Sequence, residues 1–459
     1  MRDQYDVLIA GGGPAGSTVG RLLAREGFSV CIIEKDKHPR MHVGESFLPR
    51  NMQLIKDLGL EEALMRIPHV PKYGAEFGIG NNPVTRSFTF RDGLIPGQVV
   101  FNIERSLFDK MLLDEAQRSG VEVFEETAVK EIVNLAHGDV RLATTKGQFK
   151  GRVLLDCSGQ GAFLGRALDL RRTFKTPALQ KVAYFQHFDN VERLPGEADG
   201  HPGIIMCDEG WFWLIGLNEK RTSVGFVTHP WFVKTLGIPA KDVLGWAIAR
   251  CPVVRHRMRN ATGPQGNIII SDFSYTCKPY AGKDGAYFMV GDAACFLDPI
   301  FSAGVTIAMM SAEHTARNVT NLLRGKISAA AAERKHIHFV KSSTKPFWRL
   351  NRAYYKHPFR ELFMHGQGPF KMQNAVISIL AAQVFPKPIW ALRWRHRAFE
   401  LVIFLQKYFT LVPRREPCRL VQEQPGPVPW VDSMIEVKPA MNGAHLEGAA
   451  AGEKAAAAH

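Results

Sequence analysis

Apolar positions along the chain fall into runs that end on glycines and acids. Tyr5-Asp6-Val7-Leu8-Ile9-Ala10 reads as a buried parallel strand, followed at once by Gly11-Gly12-Gly13-Pro14-Ala15-Gly16 and a helical pattern over residues 17–26. Phe28-Ser29-Val30-Cys31-Ile32-Ile33 is a second such run and ends in Glu34. Two later runs repeat the arrangement: residues 152–155 deliver Asp156-Cys157-Ser158-Gly159, and residues 286–290 deliver Gly291-Asp292. Between them the pattern changes. Residues 182–188, 210–217 and 221–228 alternate or run as strands, with Trp211 and Trp213 two apart on one face, which predicts an inserted sheet. A strand is expected from Pro71 to Phe77 with Lys72 at its mouth, and a hairpin over 129–133 and 139–145. Helices are expected over 51–57, 102–120 and 305–323. From about residue 327 the chain reads as helical and aromatic, with an amphipathic stretch at 398–412.

The first turn has a physical reading. Gly11 permits a tight turn, Gly13 lets a pyrophosphate reach the backbone, and Gly16 lets the helix pack close to the strand. Free N–H groups at the helix start then face the phosphate charge. An acid about 20 residues further on is placed for a ribose hydroxyl pair, the position of Glu34, with Lys35 beside it. Strand, glycines, helix, strand and acid in this order predict a dinucleotide site.

Composition narrows the class. The 459 residues exceed one small core and imply joined units, and 46% apolar with 22% charged is ordinary for a globular protein. No apolar run is long enough to span a membrane, and the first strand starts too early for a signal peptide. The seven cysteines are scattered without a Cys-x-x-Cys pair, which argues against a disulfide framework or a zinc site and for a reducing, cytoplasmic setting. Residues 334–415 hold sixteen Lys or Arg against Glu361 and Glu400, which is the whole net charge of +14. Such asymmetry points to an acidic partner or a headgroup layer, or else to a solvated helical face. No nucleic-acid partner is expected.

Four separated signals coincide: the Gly11–Gly16 turn, Arg105 ahead of Phe108-Asp109, Asp156-x-Ser158-Gly159, and Gly291-Asp292. Together they resemble the FAD monooxygenases of the hydroxybenzoate-hydroxylase type. That resemblance implies an α/β fold: a FAD-binding Rossmann-like domain of the glutathione-reductase and hydroxybenzoate-hydroxylase type, with an inserted β-sheet substrate domain and a helical C-terminal region. It also implies Glu34 on the adenosine ribose, Arg105 near the pyrophosphate and Asp292 on the ribityl chain. Three further stretches, Gly44-Glu45-Ser46-Phe47-Leu48-Pro49, Lys72-Tyr73-Gly74-Ala75 and Trp211-Phe212-Trp213-Leu214-Ile215, resemble flavin-dependent halogenases. The loop Asp298-Pro299-Ile300-Phe301-Ser302-Ala303-Gly304 is similar to the form found in their phenol- and pyrrole-type members.

The resemblance implies FAD and chloride or bromide, with reduced flavin and oxygen converting halide to hypohalous acid. Lys72, Glu45 and Ser302 become candidate catalytic residues. The cofactor set becomes Gly11, Gly13, Pro14, Ala15, Gly16, Glu34, Lys35, Gly44, Ser46, Arg105, Asp292 and Gly304. Backbone N–H groups of Ala303 and Gly304 are candidates for the halide. Trp211 and Trp213 would wall the substrate off from the flavin. Lys72 would hydrogen-bond hypohalous acid or carry its halogen as a haloamine, and Glu45 would act as a base or orient the flavin loop. Phe301 stands where members acting on free tryptophan carry glutamate, and Ile215-Gly216 where the family has Ile-Pro.

With no second glycine fingerprint, reduced flavin would come from a separate flavin reductase, or a nicotinamide would bind transiently. The expected organisation is a core over 1–325, with 75–100 and 175–280 largely substrate-domain sheet. A basic helical region over 326–432 and a disordered tail over 433–459 follow it. Expected partners are a small phenolic or pyrrolic substrate, on its own or on an acidic acyl or peptidyl carrier protein, and possible peripheral contact with a membrane. An aromatic hydroxylase, or a prenyl or polyene reductase, on the same fold is the alternative.

Overall fold

Parallel pairing of the apolar runs builds the sheet that presents the glycines. The computed structural model describes residues 2–174, 179–271, 274–365, 371–385 and 387–428. In it Tyr5–Ala10 lies between Gly147–Asp156 and Val30–Ile33, with Leu8 level with Leu154 and Cys31. Tyr287–Met289 continues the sheet on one side and Glu122–Phe124 on the other. The central strands are apolar on both faces because both are covered. Helix Pro14–Arg25 packs beneath, against Gly304–Leu323 and Arg105–Arg118. This brings Gly11, Glu34, Asp156 and Gly291-Asp292 to the carboxyl edge of one sheet, where open α/β sheets bind ligands.

A seven-stranded sheet runs Ile268–Ile270, Val182–Asp189, Arg221–Thr228, Gly210–Gly216, Gly203–Met206, Gly74–Ile79, Asn82–Thr89. All neighbours are antiparallel except Gly203–Met206 with Gly74–Ile79. Trp213 sits opposite Gly225, and a Cβ on Gly225 would lie 2.2 Å from the indole, so the glycine makes room for the ring. Helices Ala329–Tyr354, His357–His365, Met372–Leu380 and Trp390–Phe409 follow the core. Among the described residues no helix is long and apolar enough to cross a membrane. All seven cysteines are buried and unpaired.

Two expectations are corrected. The strand expected from Pro71 to Phe77 breaks at Tyr73: Val70–Lys72 pairs with Val100–Asn102 as a separate ribbon, while Gly74–Ile79 joins the large sheet. A Cβ on Gly74 would lie 1.8 Å from the Phe88 carbonyl, so the chain crosses there at a residue without a side chain. The helix expected from residue 102 begins at Arg105, because Asn102 is committed to that ribbon and Glu104 is still extended. The tail over 433–459 lies outside the described residues.

Candidate active site

The carboxyl edge of the parallel sheet opens into a cavity of about 780 Å³ lined by Gly11, Gly13-Pro14-Ala15, Glu34, Lys35, Arg105, Asp292 and Gly304, among others. Gly11 is left-handed at φ +105°, and a Cβ there would lie 2.4 Å from the Cys157 carbonyl. A Cβ on Gly16 would lie 1.9 Å from the Gly11 carbonyl, so Gly16 shapes the floor from behind. Gly16→Ala must displace that turn. The expected result is protein that loses a bound dinucleotide cofactor on gel filtration, read from the cofactor's absorbance in the protein peak. Full retention would contradict the role given to the turn.

Glu34 closes the loop by accepting from the Gly12 N–H at 2.6 Å and the Asp36 N–H at 2.9 Å. Arg105 is fixed at the cavity by Asp109, one helical turn on, through Nε–Oδ1 at 2.8 Å and Nη2–Oδ2 at 2.9 Å. Its Nη1 donates to the Val43 carbonyl at 2.8 Å. Burial raises the Asp292 carboxyl to about 7, with Arg105 opposing. Burial and the Arg105 charge lower His42 to about 4, so its imidazole is neutral beside the cavity.

A second cavity, of about 30 Å³, is lined by Lys72, Phe90, Ile204, Phe301, Ser302 and Leu380, among others. Lys72 is 2% exposed; Nζ donates to Ser46 Oγ at 2.9 Å and to the Phe47 carbonyl at 2.7 Å, 5.2 Å from the Phe90 ring centre. Burial alone lowers the amine to about 7. Ser46 and Gly44 do not line the larger cavity: Ser46 holds the lysine, and Gly44 sits at φ +101°, where a Cβ would come within 3.0 Å of Arg105 Nη1. Ser302 (φ +54°) lines the Lys72 cavity, and Gly304, two residues on, lines the larger one. Ala303 is buried between them at the start of helix Gly304–Leu323, whose first N–H groups have no intrahelical acceptor.

Glu45 is buried, and its Oε1 meets His187 Nε2 at 2.7 Å. Burial is the largest influence and opposes a charged His187, but the Glu45 hydrogen bond and the Glu45 and Glu104 charges together exceed it and the imidazole is raised. Trp211 and Trp213 are 6.0 Å apart, as expected for one face of a strand, but both are inside the packed core and line neither cavity. Trp211 Nε1 donates to Tyr355 Oη at 3.0 Å and Trp213 Nε1 to Ser223 Oγ at 3.1 Å.

Several site residues gave no local signal in the sequence. Arg40 lines the larger cavity with Nε and Nη1 buried and without hydrogen-bond partners. His201 is buried with neither ring nitrogen paired, and burial together with the Lys72 charge lowers it. Only the Arg105–Asp109 spacing of four on a helix was there to be found.

The larger cavity suits FAD. Its volume is in the range of cofactor sites, and its floor is a glycine turn at a helix start. Arg40, ion-paired with Asp109 at 3.5 Å and Asp36 at 3.8 Å, keeps Nε and Nη1 without hydrogen-bond partners at the cavity wall, where a pyrophosphate would meet its charge. The sequence profile described as "FAD binding domain" matches residues 4–152, and that described as "Tryptophan halogenase" matches residues 84–361. The chain is 34% identical to the 1H-pyrrole-2-carbonyl-[peptidyl-carrier protein] brominase of Pseudoalteromonas luteoviolacea over 70% of this chain and 78% of the relative. It is 26% identical to the corresponding chlorinase of Pseudomonas fluorescens, over 77% and 84%. The solved structure of the flavin-dependent brominase Bmp2 superimposes with a TM-score of 0.77 at 27% identity, covering 87% of this chain and 98% of that one. Glycine turn, FAD cavity and these matches lead to one conclusion: the chain belongs to the flavin-dependent halogenases.

Proposed function

We propose that this enzyme halogenates a pyrrolic or phenolic ring presented on an acidic carrier protein, with Lys72 handling the halogen. Reduced FAD with dioxygen supplies the oxidation that turns chloride or bromide into hypohalous acid, and a separate flavin reductase supplies the reduced cofactor. The observation that carries the reading is the loop Ser302-Ala303-Gly304, which borders both cavities and so offers a short route from the flavin side to the lysine. In this reading the N–H groups of Ala303 and Gly304 hold the halide, favoured by the helix dipole. Lys72, with no acid beside it and an amine near 7, attacks the halogen of hypohalous acid as a neutral nucleophile, so that an N–halogen bond replaces the O–halogen bond and water leaves. The ring then takes the halogen, and its displaced proton returns the lysine to the amine. Glu45 keeps the 44–49 loop in place through His187, which in turn keeps Ser46 under Lys72. Trp211 and Trp213 act as a rigid wall from inside the core rather than as pocket lining.

The division of labour follows: residues 1–325 form the catalytic core, and 326–432 close one side and dock the partner. Leu380, from the C-terminal helices, lines the Lys72 cavity. Helix Trp390–Phe409 exposes Trp390, Phe404, Tyr408 and Phe409 with Arg393 and Arg397, and Arg395 adds charge on the other side of the helix, a basic and apolar surface that fits an acidic carrier. The carrier-linked substrates of the two pyrrole halogenases above support this reading. Phe301 in the Lys72 cavity disfavours free tryptophan. Seven free thiols fit a cytoplasmic enzyme.

The test compares carrier-bound and free pyrrole-2-carboxylate analogues, followed by mass spectrometry with FAD, reductase, NADH and halide. Reversing Arg393, Arg395 and Arg397 to glutamate is expected to lower kcat/KM for the carrier-bound substrate by about tenfold or more, with salt erasing much of the difference. Turnover of free analogues stays unchanged. Unchanged carrier turnover would overturn the docking surface, liposome binding abolished by salt would reassign that face to a membrane, and hydroxylated product would move the chain to the hydroxylases.

A further inference from the structure

The loop that borders both cavities is held from outside by a residue of the C-terminal helices. Asp298 opens this loop and is 4% exposed. Its Oδ1 accepts from the Ile300 N–H at 3.1 Å, its Oδ2 accepts from Tyr355 Oη at 2.6 Å, and its carbonyl accepts from Asn351 Nδ2 at 3.0 Å. Tyr355 Oη in turn accepts from Trp211 Nε1. Lys181, 3% exposed, lies with Nζ 3.9 Å from the centre of the Tyr355 ring and 2.8 Å from His229 Nε2. His229 Nδ1 is 3.1 Å from the Gln180 carbonyl, so it carries the proton and Nε2 accepts from the lysine.

We infer that Tyr355 is a positioning residue for halide binding, fixing the Asp298–Gly304 loop against the indole of Trp211. The inference rests on the reading that Ala303 and Gly304 hold the halide.

The physical case begins with Ser302. It is a non-glycine residue in the left-handed region, a conformation that persists only where its surroundings hold it. Just before it, the 3₁₀ turn Pro299–Phe301 places Ile300 and Phe301 on the Lys72 cavity. The start of that turn is tied to the C-terminal helices through Asn351 and Tyr355. Burial raises the Asp298 carboxyl, with the Lys181 charge and the Tyr355 hydrogen bond opposing, so the charged acceptor that Tyr355 needs depends on both groups. Burial lowers Lys181 to about 8, with Asp298 opposing, which leaves the lysine charged at neutral pH and its attraction to the Tyr355 ring intact. A single hydroxyl thus connects the indole of the inserted sheet to the loop between the cavities.

Tyr355→Phe removes that hydroxyl and keeps the ring. With reconstituted enzyme, FAD, reductase and varied bromide, the KM for bromide is expected to rise about tenfold. The fraction of NADH recovered as halogenated product falls as peroxide release grows, while FAD affinity stays as in the wild type. A merely structural tyrosine would lower folded yield or kcat without moving the bromide KM or the peroxide fraction. Asp298→Asn, which preserves shape and the Ile300 cap while weakening the acceptor for Tyr355, is expected to reproduce the effect if the phenylalanine variant folds poorly. Wild-type bromide KM and coupling in a folded, FAD-loaded variant would overturn the inference. Failure of the wild type itself to halogenate anything would instead overturn the function it rests on.

Discussion

Lys72→Met is expected to abolish halogen transfer and, at pH 7, to raise the free energy of unfolding by about 2 kcal/mol. The amine is lowered from 10.5 to about 7 by burial, with no carboxylate beside it to compensate. A depression of that size corresponds to roughly 4 to 5 kcal/mol against the charged form. The methionine loses the hydrogen bonds to Ser46 and Phe47 and leaves the Phe47 carbonyl without its amine donor, which costs about 1 to 3 kcal/mol. The desolvation gain is the larger. The pH dependence has a definite sign. Between about 7 and 10.5 the unfolded chain binds a proton the folded chain has released, so wild-type stability rises with pH across that window and the advantage of methionine shrinks. Denaturant titrations at pH 7 and pH 10 read both effects. A methionine variant less stable than wild type at pH 7 would mean that the lysine is better solvated than its burial implies. In the active enzyme, kcat/KM is expected to rise through pH 7 as the neutral amine forms; a falling limb there would assign the work to the ammonium form.

Asp109→Ala is expected to destabilise the protein by about 3 to 5 kcal/mol and to weaken FAD binding by well over tenfold. Asp109 is fully buried and receives two hydrogen bonds from Arg105, with Arg40 Nη1 at 3.5 Å. Both guanidiniums line the larger cavity, so losing the carboxylate removes the anion they share, leaves their repulsion uncompensated there and frees Arg105 from its orientation. Asn at this position keeps hydrogen-bond acceptance but not charge and is expected to fall between. The measurement is flavin fluorescence titration beside chemical denaturation of the apoprotein. Wild-type FAD affinity in the alanine variant would contradict the placement of Arg105 at the pyrophosphate.

The FAD side of the site was legible because its signals are local. The first strand, the Gly11–Gly16 turn and Glu34 lie within one βαβ stretch, where apolar period and glycine spacing report the geometry directly. Lys72 stood out only through the residues around it; its burial depends on a chain crossing at Gly74 and on a loop 25 residues earlier, and neither leaves a periodic trace. Tyr355 and Asp298 are 57 residues apart, and Tyr355 and Trp211 are 144 apart, so their junction is a product of folding that no spacing rule encodes. The tryptophans show the converse. Their alternation correctly gave a shared face, but a strand pattern says which residues are side by side and not which space they border.

The most direct measurement is halogen incorporation by intact mass spectrometry, with wild type and Lys72→Met compared at equal FAD loading and NADH consumption in bromide. The account predicts brominated pyrrole from wild type, and from the variant no brominated product while the flavin still turns over and releases peroxide. Brominated product at wild-type yield from the variant would contradict it, because the halogen would then reach the ring without the lysine.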